Sequence, residues 1–308
     1  MFLKKNFKKL SFLVYGLGIT GQSVVSYFKK NNFQNYEVWD DSKKNLYKKK
    51  RSKNLLKTLN DVNYIILSPG VSFKNLKNKI SLRKFENKII TDLDIIYLFK
   101  KFSRSIVVTG TNGKSTTCKI LAHLLKKNKF KFALGGNIGK PVLSLKLKKG
   151  DWLIIEASSF QLSHSKFISP DYALLLNIAN DHLDWHGNMN NYTNSKFKIF
   201  KNQSKKQFSF LNKKLITTYH KKKLLGKLII PNLNNYKRIK PRINNAHLAL
   251  NVNDENMSFA LSLSRILRIN EKSFINSFKT FKGLPHRYEI FLKKKKLYFY
   301  KRLESNFI

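Results

Sequence analysis

The stretch Val107-Val108-Thr109-Gly110-Thr111-Asn112-Gly113-Lys114-Ser115-Thr116 decides the fold. An apolar run ends there in a glycine-bounded turn, which closes on Lys-Ser-Thr before the helical pattern Cys118-Lys119-Ile120-Leu121-Ala122-His123-Leu124-Leu125. A strand, a tight loop and a helix N-terminus in this order form a phosphate cradle, because backbone N–H groups and the positive end of the helix dipole face the anion. Gly110, Thr111, Asn112 and Gly113 form the loop, the Lys114 ammonium reaches the terminal phosphates, and Ser115, beside Thr116, completes a Mg²⁺ shell. A bound nucleoside triphosphate, ATP with Mg²⁺, is therefore expected. The spacing departs from the common P-loop, since Val108 stands where that motif has its first glycine.

On the N-terminal side, Phe12-Leu13-Val14-Tyr15 runs into Gly16-Leu17-Gly18-Ile19-Thr20-Gly21 and then the helical Ser23-Val24-Val25-Ser26-Tyr27-Phe28. A second strand, Tyr36-Glu37-Val38-Trp39, ends in Asp40. Glycines at 16, 18 and 21 permit a tight turn and close approach to a diphosphate, and an acidic residue about twenty positions on can bind a ribose or base edge. A further strand, Tyr64-Ile65-Ile66-Leu67, leads to Ser68-Pro69-Gly70, at a strand's carboxyl end, where ligands of open α/β sheets sit.

Beyond the phosphate loop, Trp152-Leu153-Ile154-Ile155-Glu156 and Tyr172-Ala173-Leu174-Leu175-Leu176-Asn177 are near-continuous apolar runs, the pattern of buried parallel strands. Residues 213–241 are Lys- and Asn-rich without clean periodicity and read as loops with short strands. Helical spacing returns at Phe259–Leu263 and Phe274–Phe278. The fold class is α/β: a Rossmann-like N-terminal domain over residues 1–99, then a P-loop-type ATP-binding domain over residues 100–290.

A chain of 308 residues has room for two such cores. Its formal charge of +44, from 61 Lys+Arg against 17 Asp+Glu, would suit nucleic acid. Lys far outnumbers Arg, however, and accompanies abundant Asn, Ile, Phe and Tyr, all residues of A/T-rich codons. Base composition explains the whole set, whereas selection for phosphate or base recognition would have drawn in Arg. Weak, salt-sensitive adhesion to polyanions is expected, not specific nucleic-acid binding. One cysteine, Cys118, excludes an internal disulfide and a multi-cysteine metal site and fits a reducing compartment. Gly16, Gly18 and Gly21 interrupt the apolar start, and no run approaches the ~18 apolar residues that span a bilayer. A cytoplasmic protein without membrane insertion is expected.

Five segments together resemble the Mur ligases: Thr109-Gly-Thr-Asn-Gly-Lys-Ser115, Gly135-Gly-Asn-Ile-Gly139, Glu156-Ala-Ser-Ser-Phe-Gln-Leu162, Asn180-Asp-His-Leu-Asp184 and Gly283-Leu-Pro-His-Arg287. The family's own loop also explains the missing glycine. The Ser-Ser-Phe-Gln-Leu segment points to the members that join D-glutamate to UDP-N-acetylmuramoyl-L-alanine in peptidoglycan precursor synthesis; the L-alanine-adding members are the alternative. The resemblance implies a monomer in which the γ-phosphate of ATP passes to the precursor's carboxylate and the amine of D-glutamate attacks the acyl phosphate, leaving an amide and phosphate.

The resemblance also implies roles. Lys114 would hold the β- and γ-phosphates, Ser115 and Glu156 a first Mg²⁺, and His182 a second. Lys196 would be carbamylated, turning an ammonium into an anionic oxygen ligand. Gly16, Gly18, Thr20 and Gly21 would take the UDP diphosphate, with Asp40 and the Ser68-Pro69-Gly70 turn near uracil and ribose. Asn137, Ser158 and Gln161 would orient the precursor. Asn253 and Asn256 have the spacing of the family's adenine-binding pair, without its preceding Gly and His. Arg287 would approach the ATP, where a guanidinium suits developing phosphate charge.

The family's third domain, which carries much of the D-glutamate site, is expected to be missing, leaving residues 291–308 as its truncated start. After Leu297-Tyr298-Phe299 the family continues Ile-Asn-Asp-Ser-Lys-Ala-Thr, and this chain continues Tyr300-Lys301-Arg302-Leu303-Glu304-Ser305-Asn306. The latter can be encoded TAT AAA CGA CTC GAA AGC AAC T, which read one base later encodes the former. A one-base frameshift is thus the expected origin of the tail, and a remnant that binds nucleotide or UDP-precursor without ligating is the alternative to a ligase.

Overall fold

The computed structural model describes residues 7, 9–71, 81–99, 102–283, 287–294 and 297–302, the last two stretches by backbone alone. Four parallel strands, β1 (Phe12–Tyr15), β2 (Tyr36–Trp39), β3 (Tyr64–Leu67) and β4 (Ile89–Ile90), form a first sheet in the order β2-β1-β3-β4. Phe12 and Val14 pack with Val25 and Phe28 on one face, while Leu13 and Tyr15 pack with Leu59 and Ile65 on the other. Burial on both faces is why β1, β3 and β4 carry unbroken apolar runs, whereas the edge strand β2 alternates and includes Glu37. The helix Ile19–Lys30 lies so close to β1 that a Cβ on Gly21 would stand 1.8 Å from the carbonyl oxygen of Gly16.

A second, six-stranded parallel sheet comprises β5 (Arg104–Thr109), β6 (Phe132–Gly136), β7 (Trp152–Glu156), β8 (Tyr172–Leu175), β9 (Phe208–Leu211) and β10 (Lys227–Ile229), in the order β10-β9-β8-β5-β7-β6. From β5 the chain crosses to the edge strand β6, fills the gap between them with β7, then passes to the other side of β5 with β8. This reversal opens a crevice beyond the carboxyl end of β5, the usual ligand position in such sheets. The helix Lys114–Lys127 follows β5 and buries Cys118, Leu121 and Leu125 against the helices Asp254–Ile266 and Glu271–Phe278. A single apolar cluster joins both sheets, with Val14 and Ile66 from the first and Val107 and Ala173 from the second.

Residues 213–241, expected as loops and short strands, hold a short strand but also two helices. They contain the helix Ile216–Lys221, the strand β10 and the helix Leu233–Ile243. In the last of these only Tyr236, Ile239 and Ile243 are buried, a stripe at helical spacing too narrow to stand out among Lys and Asn. Its start is fixed by Asn232, whose side chain accepts from the N–H groups of Asn234 and Asn235.

The strands β11 (Arg287–Lys294) and β12 (Leu297–Arg302) pair antiparallel, and β11 crosses the expected boundary between residues 290 and 291. His286 and the tail from Leu303 to Ile308 lie outside the described residues, as does the side chain of Arg287. Among the described residues no helix is long and apolar enough to cross a membrane.

Candidate functional site

The loop after β5 closes at Gly113, whose φ of +80° belongs to the left-handed region that favours glycine. A Cβ there would also stand 2.5 Å from Asn256 Oδ1, so the first turn of the helix Asp254–Ile266 packs directly on the loop. Asn177, just past β8, braces it from the other side. Its carbonyl accepts from Thr111 N–H at 3.0 Å, its Oδ1 accepts from Asn112 N–H at 2.8 Å, and its Nδ2 donates to Asn112 O at 3.2 Å. The Thr111 hydroxyl lies 3.1 Å from the hydroxyl of Tyr192.

Two ammonium groups converge on this loop. Lys114 Nζ donates to the carbonyls of Gly110 at 3.0 Å and Thr111 at 2.7 Å, and Lys196 Nζ donates to the same Gly110 carbonyl at 2.9 Å. Lys196 is 1% exposed, in the helix Met189–Phe197, with its Nζ 4.5 Å from the centre of the Tyr192 ring. Burial, reinforced by the neighbouring Lys114 charge, lowers its pKa to about 7. Ser115 and Thr116 begin the helix Lys114–Lys127 at the mouth of the loop.

Glu156 ends β7, paired in register with Val108 of β5. It is 1% exposed; its Oε1 accepts from Asn137 Nδ2 at 2.9 Å, while Oε2 is buried with no hydrogen-bond partner among the described residues. A carboxylate oxygen left without a donor in a protein interior is costly unless a cation meets it. His182 lies beyond β8 with its side chain 45% exposed, its Nδ1 3.4 Å from Asp181 Oδ1 and its ring against Phe160. Among the described residues no group of three or more His, Cys, Asp or Glu could by itself hold a metal ion.

A cavity of about 540 Å³ lies beyond the ends of β1 and β6. Gly16, Gly18, Thr20, Asp40, Ser68, Pro69 and Gly70 line it from the first sheet, Asn137 and Gln161 from the second. Gly21 and Ser158 stand behind this lining. Asp40 is committed to its own turn: Oδ2 accepts from Leu17 N–H at 2.6 Å, and Oδ1 from Ser42 and Lys43 N–H at 2.9 and 2.8 Å. Burial raises its pKa, but those bonds and the Lys43 charge outweigh it and hold the carboxyl below its ordinary value. Ser68 Oγ donates to Gly16 O at 2.7 Å, tying the two glycine turns together. Asn137 connects the cavity to the end of β7, since its backbone N–H also donates to Glu156 O at 2.8 Å.

The two asparagines expected at adenine separate. Asn256 packs on Gly113, whereas Asn253 Nδ2 donates to His247 O at 2.9 Å and so serves its own turn. Asn177, Tyr192 and Asp92 are residues that motif reading missed. Asn177 carried one signal, a polar residue at the end of an apolar strand; Tyr192 and Asp92 carried none.

Residues 108–264 match the Mur ligase middle domain. A UDP-N-acetylmuramoylalanine–D-glutamate ligase of Rickettsia bellii (strain RML369-C) is 34% identical, covering 91% of this chain and 68% of its own length. This chain spans about two thirds of the length of such relatives. Among solved structures, a UDP-N-acetylmuramate:L-alanyl-gamma-D-glutamyl-meso-diaminopimelate ligase from Neisseria meningitides has a TM-score of 0.54 at 11% identity, covering 89% of this chain and 99% of that one. A MurF ligase from Thermotoga maritima in complex with ADP has a TM-score of 0.51 at 17% identity, covering 93% and 67%. Two parallel sheets with a glycine loop at the reversal point of each, together with these matches, place the chain in the Mur ligase family.

Proposed function

We propose that this chain carries the precursor and nucleotide sites of an ATP-dependent ligase that joins D-glutamate to UDP-N-acetylmuramoyl-L-alanine. The observation that carries it is the convergence of Lys114 and Lys196 on one loop carbonyl at a helix N-terminus, joined through Glu156 and Asn137 to a cavity lined by a second glycine turn. The D-glutamate specificity rests on the relative's name and on Ser158–Leu162.

In this proposal the diphosphate lies along Gly16–Gly21, the uridine beside Asp40 and Ser68–Gly70, and the precursor's carboxylate beside Asn137. Lys114 releases its loop carbonyls to hold the β- and γ-phosphates. Glu156, through its Oε2, would hold Mg²⁺ with Ser115; His182 and a carbamylated Lys196 would hold a second ion. A Mg²⁺ ion bound there would supply neutralisation of phosphate charge for transfer of the γ-phosphoryl to the carboxylate. Asn256 and Arg287 flank the nucleotide; Asn253 acts by shaping that turn. With a pKa of about 7, much of Lys196 is free amine at neutral pH, which attacks CO₂, forming the N–C bond and losing one proton to leave a carbamate. A carbamate resonance from ¹³C-bicarbonate, absent in Lys196→Met, is the expected result.

D-glutamate-dependent phosphate release from MgATP and UDP-N-acetylmuramoyl-L-alanine tests the function. Release with L-alanine and the precursor lacking alanine would instead assign the L-alanine-adding activity, and binding of both nucleotides without release would make the chain a binding protein. Lys114→Ala should weaken MgATP binding roughly a hundredfold, since charge-assisted hydrogen bonds contribute ~1.5–3 kcal/mol each. Calorimetric titration reads it; an unchanged affinity would remove Lys114 from the phosphate site.

A further inference from the structure

Gln161 lines the cavity and stands where the two sheets' units meet. Its Nε2 donates to both carboxylate oxygens of Asp92, at 3.1 and 3.3 Å, and its Oε1 accepts from the N–H and hydroxyl of Ser158, each at 3.2 Å. Ser158 Oγ in turn accepts from Gln161 N–H at 3.2 Å. Asp92 comes from the first unit, opening the helix Asp92–Leu98; Ser158 and Gln161 come from the second, at the start of the helix Ser159–His164. The three residues are 1%, 7% and 3% exposed.

A carboxamide turned end over end keeps its shape and exchanges donor for acceptor. Its partners decide which end faces where. An ionised carboxylate only accepts, so Asp92 selects the Nε2 end of Gln161 and thereby directs Oε1 onto Ser158. Burial, with the like charge of Asp94 adding to it, pushes the Asp92 carboxyl up to about 6 despite the Gln161 bond. The interactions that oppose this are hydrogen bonds from Gln161 and from the backbone of Leu93 and Asp92, with no cation among them. A carboxylate buried on hydrogen bonds alone, as Asp92 is among the described residues, is an expensive way to fill space, and an apolar residue of similar size would pack the same helix start at lower cost.

We propose that Asp92 is a positioning residue for the precursor cavity, acting from the first unit through the Gln161 amide to fix the orientation of Gln161 and Ser158 on the second. The inference rests on the assignment of this cavity to the UDP-precursor and adds the residue that sets its wall. It also makes precursor binding sensitive to the contact between the two units, because the bond that orients the wall crosses it.

The test uses the full chain, titrated separately with UDP-N-acetylmuramoyl-L-alanine and with MgATP, alongside thermal denaturation. Asp92→Ala should weaken precursor binding about tenfold and leave MgATP binding unchanged, the loss of one oriented hydrogen-bond pair. Asp92→Asn, which keeps a carbonyl acceptor for Nε2, should restore affinity to within about threefold of the native chain. Gln161→Ala should cost as much as Asp92→Ala, and the double variant no more than either, as for residues acting through one interaction. Should Asp92→Ala fail to fold, Asp92→Asn with Gln161→Ala carries the comparison: an Asp92→Asn effect on the precursor that persists in the Gln161→Ala background overturns the proposal. Native precursor affinity in Asp92→Ala, or a parallel loss for both ligands, also overturns it. A native chain that binds no precursor overturns the cavity assignment itself, and this inference with it.

Discussion

Lys196→Met should stabilise the free protein at acidic pH. Lys196 has its pKa lowered to about 7 against an ordinary 10.5 in the unfolded chain. Below pH 7 the amine is charged in both states and the folded state bears the whole cost of burying it. As pH rises from 7 to 10.5 the folded amine has lost its proton while the unfolded one keeps it, so stability of the native chain increases; above that window the cost is gone. At ~1.4 kcal/mol per pH unit the ceiling is about 5 kcal/mol. Methionine forfeits the bond to Gly110 O, which returns ~1–3 kcal/mol of that gain. A net stabilisation of about 2 kcal/mol at pH 6, shrinking toward pH 10, is expected in urea denaturation under CO₂-free buffer. Parallel pH profiles for variant and native chain would mean that Lys196 is not the desolvated base described here.

Gly21→Ala should have the opposite character, a large loss without any change of charge. The added Cβ would meet Gly16 O at 1.8 Å and Gly16 C and Ser68 Oγ at 2.9 Å, mostly backbone atoms that cannot rotate away. The helix Ile19–Lys30 must back off β1, opening the core around Val25 and Phe28 and dislodging the turn that lines the cavity. A cost of about 3 kcal/mol or more is expected, the upper range for overpacking. Gly18→Ala is the control: nothing lies within 4 Å of its built Cβ, so stability should stay within ~1 kcal/mol of native. In calorimetry, Gly21→Ala should lose UDP binding well before MgATP binding, because the phosphate loop belongs to the second sheet. Equal thermal stability of the two alanine variants would refute the close helix–strand approach.

Both variants divide along the line between contiguous and assembled features. The steric demand on Gly21 is written in a local pattern, a glycine five residues after Gly16 in a strand–turn–helix, and is readable without coordinates. The proton affinity of Lys196 is not, since it depends on Gly110 and Lys114, more than eighty positions away, and on burial that one Lys among dozens does not announce. The same holds for Asp40. Its position at a strand end was evident, but the commitment of both oxygens to Leu17, Ser42 and Lys43 follows from how two turns meet.

The sequence by itself determined the α/β class, the two glycine loops and the family, because strand runs, helical spacing and loop chemistry are properties of neighbouring residues. It left the helix Leu233–Ile243 hidden, because a buried stripe of three residues falls below the periodicity that a Lys- and Asn-rich segment displays. Only the tertiary structure decided that Asn256 presses on the phosphate loop while Asn253 turns away, that Asn177 and Tyr192 brace it, and that Asp92 reaches across to Gln161. These are matters of desolvation and hydrogen-bond direction, and both are fixed by atoms that the chain brings together from distant positions.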